Sequence, residues 1–118
     1  MEHDVWRHYG SQTPPMLDLL GPEVRPVYLS LANAFAPGEN ATTGSFQVTL
    51  RDLRTGGMLP TAGVLAPATY DSQQKLVQVP VTASGLPPER YVEMAVSFTV
   101  TTNTAERRAV ALVLRRVG

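Results

Sequence analysis

From Val27 onward, apolar and polar positions alternate with a period of two. Val27, Leu29 and Leu31 alternate with Tyr28, Ser30 and Ala32, the pattern of a strand with one face buried. Phe46, Val48 and Leu50 repeat it against Gln47, Thr49 and Arg51. Val77, Val79 and Val81 repeat it again against Leu76, Gln78 and Thr82, with Pro80 on the outward phase. Proline has no ladder donor, so Pro80 predicts an edge position or a bulge. The longest alternation is Val92, Met94, Val96, Phe98 and Val100 against Glu93, Ala95, Ser97, Thr99 and Thr101. The chain returns as Ala109 to Leu114, apolar on both phases. Both faces of that strand are expected to be covered, centrally in a sheet or under the chain's first residues. The segment Asn103-Thr104-Ala105-Glu106 joins the two into a hairpin.

Turn residues punctuate these runs. Pro37-Gly38, Thr55-Gly56-Gly57, Asp71-Ser72-Gln73 and Ser84-Gly85-Leu86-Pro87-Pro88 all read as loops. Met58 to Tyr70 is ambiguous: Pro60 and Pro67 make it an edge strand or a long irregular crossing. Six to seven short strands without an amphipathic helix of three turns predict an all-β fold, a single antiparallel β-sandwich or small barrel. Val48, Leu50, Val79, Val96, Phe98, Val110 and Leu112 are the expected inward faces.

Residues 1–26 differ from the sandwich domain expected over 27–118. They hold Pro14, Pro15, Pro22 and Pro26 with Gly10 and Gly21, and a residue before proline is pushed towards extended geometry. Met16 to Leu20 has room for one short helical turn stopped by Gly21-Pro22. The segment reads as an extended N-terminal arm. It nevertheless carries Val5, Trp6, Tyr9, Met16, Leu17, Leu19 and Leu20. These side chains either pack on their own domain or anchor on a neighbour. A swapped arm, which buries apolar area without a second core, is the favoured reading.

Composition narrows the function. The 118 residues make one domain. With 43% apolar residues and ten basic against ten acidic groups, the chain is not of the disordered class, and it lacks the basic excess of a general nucleic-acid binder. The absence of cysteine excludes disulfides, thiolate catalysis and zinc–thiolate sites. The first residues do not read as a signal peptide, and no apolar run approaches a membrane span. Asn40-Ala41-Thr42 matches a glycosylation sequon, read as chance without a secretory signal. A single lysine beside nine arginines, with no isoleucine, reads as the codon bias of a GC-rich genome.

Candidate chemistry is sparse. His3 and His8, with Glu2 and Asp4, fit no metal-ligand spacing, and nothing nearby would hold either as the base of a catalytic triad. Asp52, Asp71, Glu89, Glu93 and Glu106 read as solvated rim charges. Thr55-Gly56-Gly57 has no P-loop lysine. No catalytic, cofactor or metal site is therefore expected. Arg107-Arg108 and Arg115-Arg116 bracket the last strand, whereas Glu2, Asp4, Asp18 and Glu23 outweigh Arg7 in the first 23 residues. One reading is that the arginines keep an apolar strand soluble. Another docks the acidic arm of one copy near the basic end of the next. A third, phosphate binding, is weakened by the zero net charge. On the docking reading, the contact residues are Trp6, Tyr9, Leu17, Leu19 and Leu20, with Arg107, Arg108, Arg115 and Arg116 as charge partners.

One resemblance adds to this. Phe46-Gln47-Val48-Thr49-Leu50-Arg51-Asp52, a glycine turn, a long middle crossing, Val77 to Thr82, and Gly85-Leu86-Pro87-Pro88-Glu89-Arg90-Tyr91 before a final hairpin together resemble the immunoglobulin-like β-sandwich modules of tailed-phage virions. Those modules occur in capsid decoration proteins and in neck, tail and baseplate subunits, and the likeness runs over residues 27–117. It implies a non-enzymatic virion structural protein made in the host cytoplasm, first of all a capsid decoration (cement) subunit, with a neck, tail or baseplate subunit as the alternative. The implied partners are capsid or tail proteins, or further copies of the chain, with no nucleic acid, membrane or cofactor. A carbohydrate- or peptide-binding sandwich using Tyr70, Tyr91 and Phe35 stays open as a different class. A small β-barrel enzyme is disfavoured, because it has neither a thiol nor a rigidly held histidine.

Overall fold

The computed structural model describes residues 14–118 and the backbone of Val5–Trp6, with Asn103 and Thr104 described in backbone alone. The regular elements are β1 (Val5–Trp6), β2 (Met16–Leu20), β3 (Val24–Ser30), β4 (Gln47–Asp52), β5 (Met58–Leu59), β6 (Thr69–Asp71), β7 (Leu76–Thr82), β8 (Tyr91–Val100) and β9 (Asn103–Val117), with two short 3-10 turns. They form two sheets, one ordered β1-β3-β7-β6 and the other β2-β9-β8-β4-β5. The expectation of an all-β chain holds. The described residues contain nine strand segments rather than six or seven, and the shortest of them lie at sheet edges.

The alternation read from the sequence becomes burial. Every second residue of β7 and β8 is buried. The inward faces of both sheets meet in one apolar cluster that includes Leu29, Val77 and Val79 from the first sheet and Leu50, Val96, Phe98 and Leu112 from the second. The β8–β9 hairpin pairs from Tyr91↔Arg115 to Thr99↔Arg107, with an irregularity at Thr99/Val100. That shift lets β9 begin at Asn103, inside the segment expected to be loop. Of the Ala109–Leu114 run, only Val113 and Leu114 lie between β2 and β8; β2 does not reach Ala109–Leu112, and Ala109 is exposed.

The arm is where expectation and structure part. Met16–Leu20 is a strand, not a helical turn, and it pairs in parallel with β9 from Met16↔Val113 to Leu20↔Val117. Its own period of two is the reason: Leu17 and Leu19 point inward and are buried, while Met16, Asp18 and Leu20 point outward. Gly21 then closes against the end of β9, its N–H donating to Val117 O at 3.1 Å. A Cβ at this position would run into the Gly118 carbonyl, so the turn needs glycine. β3 starts at Val24, so residues 16–26 are built into the two sheets.

Pro80 is neither at an edge nor in a bulge, since β7 lies between β3 and β6. Its carbonyl accepts from Ala66 N at 3.1 Å, on the side away from β3. The N–H and C=O of one strand residue leave on the same side, so the missing donor is not needed by the β3–β7 ladder. Its cross-strand partner is Pro26, at an equivalent position. The segment from Met58 to Tyr70 combines both readings offered for it: β5 and β6 are edge strands, one in each sheet, and the residues between them cross from one sheet to the other.

Candidate functional site

The outer face of the five-stranded sheet is the first candidate. Cross-strand register places Met16, Val113, Glu93, Arg51 and Met58 in one row. Asp18, Arg115 and Tyr91 form the next row. On the other side lie small and polar residues, Ala111, Ala95 and Thr49, then Ala109, Ser97 and Gln47. Among the described residues, the exposed large apolar side chains are Met16, Leu20, Val24, Leu53, Met58 and Tyr91. Four of them stand on this face, Leu53 stands in the turn at its border beside Tyr91, and Val24 alone belongs to the other sheet. Met16 and Met58 stand on opposite edge strands of the sheet with the Arg51–Glu93 pair between them, so the face presents apolar side chains alternating with charges.

Two ion pairs lie within this face. Arg51 donates to Glu93 at 3.1 Å. Arg115 grips Asp18 with two bonds, at 3.1 and 2.9 Å, and its guanidinium lies 5.5 Å from the Tyr91 ring centroid. The Asp18 carboxylate raises the Arg115 pKa above its ordinary value. Exposed pairs of this kind add little stability. Arg107, on the same face, donates to Ser45 O and Ser97 Oγ and meets no carboxylate among the described residues.

The predicted charge partners are thus accounted for inside one chain. Asp18 of the acidic segment does meet the basic end, but it is this chain's own Arg115. Arg108 donates to Glu106 at 2.8 Å, to Glu39 at 2.8 and 3.2 Å, and to the Ala34 carbonyl. Arg116 donates to the Leu86 carbonyl at 3.0 Å, and Arg107 to Ser45 O at 3.1 Å and Ser97 Oγ at 2.9 Å. Of the apolar contact residues, Leu17 and Leu19 lie in the protein's own core, which corrects their assignment to a neighbour's surface; only Leu20 faces out. The side chains of Trp6, Tyr9, His3 and His8 lie outside the described residues. The backbone at Trp6 pairs in parallel with Leu29 of the same chain.

Glu39 carries the strongest carboxylate perturbation. The Arg108 guanidinium and then the Ala36 N–H hold its pKa down from 4.5 to about 2. A carboxyl whose folded pKa lies below its unfolded one supports the fold at pH above the unfolded value and stops doing so as pH falls towards the folded one. The melting temperature is therefore expected to fall as pH drops from 4.5 towards 2. Glu39→Gln should lower it at neutral pH and flatten that acid limb, as read by circular dichroism.

Sequence reading missed Asp52. It is 2% exposed rather than a rim charge. It accepts from Arg54 N at 2.9 Å and from Arg90 Nη1 at 2.8 Å, which together lower its pKa. The signal was its phase: two residues beyond Leu50, it falls on the inward side of β4.

The second candidate is a cleft of about 590 Å³ at the open side between β4 and β6. Phe46, Val48, Leu65, Pro67 and Tyr70 are its apolar walls, and Thr43, Thr61 and Ser72 also line it. The Phe46 and Tyr70 rings lie 4.8 Å apart at 45°. The Tyr70 hydroxyl donates to Asn40 Oδ1, whose amide nitrogen donates to Ser72 O at 2.9 Å. Burial pushes the Tyr70 phenol up. Tyr70, Tyr91 and Phe35, suggested together as a sugar platform, do not converge. Tyr91 is on the outer face of the other sheet, and Phe35 packs on Phe98 with centroids 5.4 Å apart.

Among the described residues no group of three or more His, Asp or Glu could hold a metal ion, and no helix is long and apolar enough to cross a membrane. In comparisons with known proteins, no family model, no curated protein and no solved structure matches the chain.

Proposed function

We propose that this protein is a non-enzymatic structural subunit with an immunoglobulin-like β-sandwich fold, which assembles with other protein subunits through the outer face of its five-stranded sheet. The observation that carries this is the placement of Met16, Leu20, Met58 and Tyr91 on one face, with the Arg51–Glu93 and Arg115–Asp18 pairs among them. Interface centres are enriched in Met and aromatic residues and depleted in unpaired charge. Two sheets ordered β1-β3-β7-β6 and β2-β9-β8-β4-β5 support the fold reading. With β1 taken as strand A and β3 to β9 as B, C, C′, D, E, F and G, these orders are compatible with the ABED and GFCC′ groupings of immunoglobulin domains. The chain contains no cysteine, and both its histidines fall within the first eight residues, which leaves little for catalysis. The setting proposed, from the strand and turn pattern, is a tailed-phage virion, with capsid decoration as the post and neck, tail or baseplate as the alternative.

Sedimentation velocity tests the assembly face. The full chain should self-associate, or co-sediment with capsid shells built from proteins encoded beside its gene. Met16→Glu with Tyr91→Glu should weaken either association by about tenfold or more, the loss expected when interface anchors are removed. A wild-type chain that stays monomeric and off such shells would overturn the proposal.

A further inference from the structure

The cleft between β4 and β6 is separate from the outer face, and its walls carry information about what fits it. β5 pairs only with Leu50 and Arg51, which leaves the first half of β4 without a strand on that side among the described residues. Backbone direction can be read along β4. Asp52 N donates to Gly57 O at 2.9 Å and Asp52 O accepts from Gly56 N at 2.7 Å, both away from β8. Backbone groups of every second strand residue face the same way. Leu50 therefore faces β5, and Val48 and Phe46 direct their N–H and C=O groups beyond its end.

The opposite wall has the same property. Pro80 O faces Ala66, so the even positions of β7 face β6 and bond to it at Gln78↔Thr69 and Leu76↔Asp71. Tyr70 then turns its backbone to the open side. Its ring points inward, because its cross-strand partner Val77 is buried. The cleft thus has an apolar, aromatic interior beside a strand edge with unused backbone groups.

We infer that this cleft takes an extended, uncharged peptide segment of another protein, which adds as a strand to the free edge of β4 and places alternate apolar side chains between Phe46, Tyr70 and Leu65. Strand addition of this kind takes its affinity from main-chain bonds and its specificity from pockets for alternate side chains. Among the described residues no Asp, Glu, Lys or Arg lines the cleft, so a charged segment would be desolvated without a partner. The volume lies within the range of roughly 300–1,000 Å³ typical of ligand sites. The free stretch Phe46–Thr49 matches a peptide of about four residues at ~3.3 Å each. Native sheets commonly blunt a free edge with lysine or proline, yet Gln47 and Thr49 are the outward residues here.

The test is an NMR titration of the full chain with the blocked peptide acetyl-Thr-Val-Thr-Val-Thr-amide and with the same peptide N-methylated at every residue. Amide shifts should concentrate at Phe46–Thr49 and Tyr70. N-methylation, which removes the backbone donors and leaves the side chains, should weaken binding by about tenfold or more. Ala66→Arg, an exposed change at the rim, should do the same without altering the melting temperature. The inference is overturned by equal binding of the N-methylated peptide, by shifts elsewhere, or by no binding. It is also overturned if a neutral oligosaccharide such as maltoheptaose shifts Phe46 and Tyr70 while the peptide does not. Each of these can fail while the outer face still assembles, because none of Met16, Leu20, Met58 and Tyr91 lines the cleft.

Discussion

A chain beginning at Glu23 should lose most of its stability. Removing residues 1–22 deletes β2, and with it Leu17 and Leu19, both part of the buried core. Full burial of a leucine contributes about 1.5–3 kcal/mol, so the two together account for roughly 3–6 kcal/mol, out of a total near 5–15 for a domain. The truncation also strips β9 of its parallel partner along Val113–Val117, opening a long apolar edge. Urea unfolding followed by circular dichroism should show either a much lower midpoint or no cooperative transition. Leu19→Ala in the full chain should cost about 2–5 kcal/mol by itself. A truncated chain with the midpoint of the full one would show that β2 is an ornament on the fold and not part of it.

Phe98→Ala is the second large effect, with an expected loss of about 3–5 kcal/mol. Phe98 is among the largest fully buried side chains and stands on the central hairpin. It is also the middle of a row of rings. Phe35 lies 5.4 Å from it and Phe46 lies 6.0 Å from it, and Phe46 in turn touches Tyr70 at 4.8 Å. Deleting the middle ring removes support from the cleft wall as well as from the core. Phe98→Leu keeps most of the volume and should cost less than half as much. Guanidinium denaturation gives the stability change, and the Phe46 and Tyr70 ring signals in NMR report the cleft. Wild-type stability in Phe98→Ala would contradict the packing described.

Where the sequence carried period-two alternation over at least six residues, as in β4, β7 and β8, strand identity and inward face were both legible. Met16–Leu20 holds the same signal over five residues, and the flanking prolines and Gly21 pulled its reading towards a loop with a turn of helix. Its pairing partner lies at the far end of the chain, and no local pattern announces that. Pro80 was misplaced for a related reason: proline is forbidden only where its nitrogen faces a ladder, and which side that is depends on which strand stands there. The arginines were legible as a cluster but not as pairs, because Glu39 and Asp18 reach Arg108 and Arg115 only after the sheets form. The cleft was invisible in sequence, since it is made by β5 leaving Gln47, Val48 and Thr49 of β4 uncovered.

The parallel pairing of β2 with β9 joins residues 97 positions apart, as in the Asp18–Arg115 contact. Closing so distant a pair is slow, since chain entropy is lost before any contact rewards it. During synthesis, Leu17 and Leu19 leave the ribosome early and wait for Val113–Val117 to be translated. Through that interval the nascent chain shows its surroundings two greasy side chains that the finished fold buries.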